Sequence, residues 1–166
     1  MERFQWLAAI IAAHPEHKVI GRTRLQKTVK LLQRLGVPTR FGYKLHHYGP
    51  YSEDLQSEIG LLQNIGLITE TAHTSNEGSS YYTLQANNFS AEFTKKSEFE
   101  PYQHYIEILS RQDQVILELA ATYDTYKEMG FDDFSSIEQL KEKKGAKCED
   151  GRADKSISLL KELGLM

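Results

Sequence analysis

The chain has 166 residues, with 40% hydrophobic and 26% charged side chains and a formal net charge of −3. That length supports one domain, or one domain with a helical extension, around a real core. The balance is that of a soluble globular protein, and no apolar run approaches the ~20 residues a bilayer-crossing helix needs. The opening "MERFQWLAAIIAAHPEH" begins with an acid and lacks a basic region, so it reads as a first helix and not a signal peptide.

Phe4, Leu7, Ala8 and Ile11 recur at helical spacing, and His14-Pro15 ends that element. A short extended piece at Lys18 to Ile20 leads through Gly21 into "RTRLQKTVKLLQRLG". There Leu25, Val29, Leu32 and Leu35 form an apolar face, and Arg24, Lys27, Lys30 and Arg34 fall roughly opposite. "RFGYKLHHY" alternates as a strand, with Phe41, Tyr43, Leu45 and His47 on one face. Gly49-Pro50 is expected to turn the chain, and Ser52 to cap a helix that Glu53 and Asp54 favour through its dipole. Leu55, Ile59, Leu62 and Ile65 are the inward positions of that helix. "LITET", a polar loop from His73 to Ser80 and "YYTLQ" predict a β-hairpin, and four helices are predicted at 100–110, 113–129, 135–144 and 152–163.

"LLQRLGV" at 31–37, "LLQNIGL" at 61–67 and "LLKELGL" at 159–165 repeat one phrase at unequal intervals. They read as three amphipathic helices ended by the same glycine cap, not as a duplicated domain. The element order predicts a mainly α fold with a small β-hairpin: a winged helix-turn-helix-like domain over 1–97, with a helical extension over 98–166 packed on it. Apolar residues such as Ile108, Leu109, Ile116, Leu117, Leu119, Ile157, Leu159 and Leu160 in that extension must cover the core or make a homodimer.

Charge is segregated along the chain. Residues 18–44 carry eight lysines and arginines and no acid, whereas residues 45–94 carry six acids and no lysine or arginine. A basic face with no local acid to offset it hints at an anionic partner.

"GRTRLQKTVKLLQRLGVP" followed by "YGPYSEDLQSEIGLLQNIGLI" resembles the YwgA-like family of uncharacterised bacterial proteins and, more distantly, the Panacea antitoxin domain. The resemblance covers about residues 5 to 85. It rests on Gly21-Arg22 to Lys27 with Leu25 and Gln26, the Tyr48-Gly49-Pro50-Tyr51 turn, and the Gly66-Leu67-Ile68 helix exit. It implies a winged-helix-like bacterial protein, and its Panacea branch implies an antitoxin that neutralises a toxin by direct contact.

Catalytic chemistry finds no support in the residues. His46 and His47 are neighbours on an expected strand and point to opposite faces, so they do not share a metal in the ordinary way. Pro15 breaks the helix that would bring His14 and His17 together. Ser52 serves as a cap, and no nucleophile elbow, phosphate loop or dinucleotide fingerprint occurs. No cofactor or metal is expected. The lone Cys148 makes no internal disulfide, which fits a reducing cytoplasm.

Two functions remain. One is a regulatory protein-interaction module, adaptor or antitoxin-like, whose partner-binding residues are Arg22, Arg24, Lys27, Lys30 and Arg34 on the second helix with His47, Tyr48 and Tyr51 at the 46–54 corner. The other is a nucleic-acid-binding winged-helix regulator. The usual recognition helix and wing of such a regulator would here lack any cation, and phosphates must be neutralised by lysines and arginines.

Overall fold

The computed structural model describes residues 1–166 and is mainly helical, with eight α-helices and two small antiparallel sheets. Helix α1, Arg3–Ala12, lies at the centre. Every residue from Trp6 to Ala12 is buried, so the expected one-sided face is in fact a helix covered all round. Strand β1, Lys18–Ile20, is followed by helix α2, Arg22–Arg34.

The corner differs from its sequence reading. Strands β2, Lys44–His46, and β3, Gly49–Tyr51, pair antiparallel with Leu45 opposite Pro50 and His46 opposite Gly49. The turn is therefore His47-Tyr48, and the expected Gly49-Pro50 turn is itself strand. Ser52 caps helix α3, Glu53–Asn64, as expected, its Oγ accepting from the Leu55 N–H at 3.1 Å. Leu55, Ile59 and Leu62 of α3 are buried, but Ile65 is half exposed because the helix has ended there.

Strands β4, Ile68–Thr74, and β5, Ser80–Ala86, form the expected hairpin. β1 joins its other edge, giving the order β1-β5-β4 with Val19 opposite Leu84. Helix α4, Asn88–Phe93, was not expected from the sequence; Asn87 caps it through the Ser90 N–H. The tail forms α5, Gln103–Ser110, α6, Gln114–Glu128, α7, Asp133–Lys144, and α8, Arg152–Glu162.

The thrice-repeated phrase is three copies of one helix exit. Val37 donates to the Leu32 carbonyl, Leu67 to Leu62 and Leu165 to Leu160, each across a glycine at positive φ. One apolar cluster of 34 buried residues runs from Trp6 to Leu163. Its tail members include Leu109, Ile116, Leu117, Leu119, Leu159 and Leu160, so the tail does cover the core. Helix α6 takes the middle place, against α2 on one side and α7 and α8 on the other. No helix is long and apolar enough to cross a membrane.

Candidate functional site

Helix α2 is enclosed by β1, β3, α5 and α6, and all eight residues from Leu25 to Leu32 are buried. This corrects the expected solvated basic face. The side opposite Leu25 and Leu32 is not open, because α5 and α6 pack on it.

The cations of α2 accordingly have interior partners. The Arg22 guanidinium grips Glu70 through Nε, at 2.8 Å, and Nη2, and lies 3.7 Å from the Tyr82 ring centroid. Arg24 Nη2 donates to the Gln112 carbonyl at 2.7 Å, beyond the end of α5. Lys30 reaches Glu128 at 2.5 Å, and Arg34 holds Asp124 through two hydrogen bonds of 2.8 and 3.3 Å. The expected absence of offsetting acids therefore does not hold. The acids come from β4 and α6, far along the chain.

Lys27 is the exception to this pairing. It is 1% exposed, and its Nζ donates to the Pro50 carbonyl at 2.7 Å. Burial pushes its ammonium down to about 8; Glu118 opposes that shift, and Lys144 and Lys147 add to it. Glu118 itself is buried in α6. It receives Lys147 at 2.9 Å and Lys144 at 3.4 Å. Lys144 also donates to the His47 carbonyl at 2.7 Å, tying α7 to the corner.

The corner is pressed against α6. Gly49 has φ +88, and a Cβ there would stand 2.5 Å from Thr122 Oγ1. The Gln26 amide pairs with both backbone groups of Ser52, at 2.8 and 2.9 Å, and fixes where β3 passes into α3. His46 stacks on Tyr51 with ring centroids 5.1 Å apart. His47 and Tyr48 reach solvent, and Lys147 Nζ lies 4.9 Å from the Tyr48 ring centroid.

Of the cavities that border this hairpin, a smaller one, of about 230 Å³, sets Glu53 and Asp54 beside His46 and Tyr51, and the two largest concern the site. One of these two, of about 640 Å³, opens between the hairpin and α6–α7; Leu45, Tyr126, Met129, Phe131, Lys143 and Lys144 are among its walls. The other, of about 330 Å³, lies between the hairpin and the first turns of α2, with Arg22, Thr23, Lys27, Tyr48, Tyr51 and Gln56 on its walls. His46 borders both, and no carboxylate lines either.

Of the residues expected to bind a partner, the structure brings Arg22, Lys27, Tyr48 and Tyr51 around the smaller cavity and His47 onto the larger one. Arg24, Lys30 and Arg34 line neither. The sequence reading missed Glu118, Thr122, Lys144 and Lys147. A signal for two of them was present in "ILELAATYD", where Glu118 and Thr122 stand four apart on a largely apolar helix. No nucleophile and base come together here. Ser52 Oγ is buried and engaged as a cap.

The chain is similar to a curated relative named "Uncharacterized protein YwgA" from Bacillus subtilis (strain 168), with 28% identity over 107 residues. The matched stretch covers 63% of this chain and spans 64% of the relative's length. No family model matches the chain.

Proposed function

We propose that this protein is a non-catalytic regulatory module of winged-helix type that docks a protein partner at the 46–54 corner and the large groove beside it. The observation that carries the reading is the groove itself. Leu45, Met129 and Phe131 remain 40%, 60% and 38% exposed beside Lys143 and Lys144, with no carboxylate on the walls. Exposed apolar side chains gathered next to uniform charge favour a protein surface that is apolar and acidic. The charge in this reading comes from the end of α7 and no longer from α2, most of whose cations are tied to partners within the fold.

The order α1, β1, α2, β2, β3, α3, β4, β5, with a small hairpin between α2 and α3, and the sheet order β1-β5-β4 support the winged-helix assignment. The resemblance to Panacea antitoxins belongs to the same reading and supplies one kind of partner, a toxin held by direct contact in the cytoplasm. Nucleic-acid binding through α3 and the β4–β5 hairpin has weaker support. Those elements carry Glu53, Asp54, Glu58, Glu70 and Glu77 and no lysine or arginine.

The test is affinity capture from the source organism with wild-type protein and two exposed-site variants, Met129→Asp and Lys143→Glu. One partner should be enriched by the wild type, lost with both variants, and released as salt rises. Circular dichroism should show all three proteins folded. A partner retained by both variants, or turnover by the purified protein that disappears with His47→Ala, would overturn the proposal.

A further inference from the structure

We propose that the smaller cavity, between α2 and the β2–β3 hairpin, binds a phosphoryl group, free or carried on a small planar body. Its walls are donors: Arg22, Thr23, Lys27, Tyr48, Tyr51 and Gln56, with no carboxylate among them. The Lys27 ammonium has three N–H groups, and its one protein acceptor is the Pro50 carbonyl. A buried charge is stable only when paired and hydrogen-bonded, and here that pairing is incomplete.

The nearby carboxylates are already engaged. Glu70 is held by Arg22, and Glu118 receives both Lys144 and Lys147. Buried Lys27 and Lys144 with the partly exposed Lys147 therefore set three ammoniums around the one Glu118 carboxylate, an excess of two positive charges, and of the three Lys27 lines this cavity. A phosphate monoester, close to a dianion at neutral pH, matches that excess; a carboxylate supplies half of it. Burial is the main cause that lowers the Lys27 ammonium, and a bound dianion would oppose that shift as Glu118 does.

Geometry adds the rest of the ligand. The Arg22 guanidinium is fixed by Glu70 and the Tyr82 ring through Nε and Nη2, and its Nη1 has no protein acceptor. A volume of about 330 Å³ exceeds what a bare phosphate fills and lies at the small end of organic-ligand sites. Tyr51, stacked on His46, and Tyr48 present ring faces for a flat group. Thr23 and Tyr48 also border a small annex lined by Lys147 and by the Glu118 carboxylate that holds it, so that ammonium stands one side chain away.

The full chain labelled with ¹⁵N should be titrated at low ionic strength near pH 7 with phenyl phosphate, inorganic phosphate and benzoate. Phenyl phosphate should saturate and move the amides of Thr23, Gly49 and Tyr51. Benzoate should bind at least ten-fold more weakly. Inorganic phosphate moving the same amides as tightly as phenyl phosphate assigns the site to the free ion; weaker binding by inorganic phosphate assigns it to the planar ester. Lys27→Met should weaken phosphoryl binding at least ten-fold. Should that variant not fold, Thr23→Val, with a smaller loss, and the map of shifted amides on the wild type decide the matter. Shifts that never saturate, that gather on the lysines of residues 141–147, or that are unchanged in folded Lys27→Met would overturn the site.

Discussion

Residues 22–34 and residues 141–147 are both rich in cations, and the fold treats them in opposite ways. In the first stretch, four of five cations end on a carboxylate or on helix-end carbonyls supplied by β4, α5 or α6. In the second, Lys143 stays exposed, while Lys144 and Lys147 converge on a Glu118 that cannot balance them both and Lys27. The stretch that looks like a binding face is mostly a set of interior ties. The stretch that looks like a solvated helix end supplies the surplus charge. Compensation is a tertiary property, because the acid that answers Lys30 stands 98 residues away and the one that answers Arg34 stands 90 away.

Reversing a charge in each stretch gives the widest separation. Lys27→Glu places a second carboxylate near Glu118 and against the Pro50 carbonyl, at a position 1% exposed. It should lose about 3–5 kcal/mol in urea denaturation. Lys143→Glu, on the exposed end of α7, should change stability by under about 0.5 kcal/mol. Equal losses from the two would dissolve the contrast.

The next effect is a dependence on pH. The ammonium of Lys27 titrates at about 8 when folded against 10.5 when free. Between those values the unfolded chain holds a proton that the folded chain has released, so stability rises with pH across that window. Below pH 8 the full cost of the buried charge remains. The rise should be of order 3 kcal/mol, because a tenfold change in proton affinity is worth about 1.4 kcal/mol. It should be present in wild type and reduced in Lys27→Met, where the buried Lys144 ammonium, also lowered by desolvation, keeps a rise of the same sign, when denaturation midpoints are compared between pH 7.5 and 10.5.

The smallest effect concerns the ties of α2. Arg34→Met leaves the Asp124 carboxylate, 3% exposed, without its guanidinium and should cost about 2 kcal/mol. Arg22→Met removes a more exposed pair and should cost about 1 kcal/mol or less. Thermal melts of both variants rank them, and the opposite order would show that the α6 ties matter less than the β4 tie.

The sequence was readable where structure is made locally. The Ser52 cap, the three glycine exits, the β4–β5 hairpin and the four tail helices all depend on residues within one turn or one loop. The corner could be located but not drawn. Gly49-Pro50 has turn chemistry, yet Pro50 fits a strand edge because its carbonyl is claimed by Lys27 and Gly49 must pass close to Thr122. The fate of α2 was hidden, since nothing in its own residues says that α5 and α6 will cover its polar side. Of the site, the aromatic half at Tyr48 and Tyr51 was legible. Of its electrostatic half, Arg22 and Lys27 were legible as well, whereas Glu118, Lys144 and Lys147 were not, because they join it only through packing.

The close approach of Gly49 to Thr122 has a consequence in time. The corner gains its backing only when α6 arrives, and α6 is encoded well after the corner itself. As the chain is synthesised, α1 and α2 emerge with their hydrophobic partners still unmade. Formation of the corner is thus tied to long-range closure, which makes folding slower than local helix formation would suggest. A nascent chain that has not yet reached residue 128 lacks the helix that backs Gly49 and packs on α2, and this interval is when chaperone capture and aggregation compete with folding.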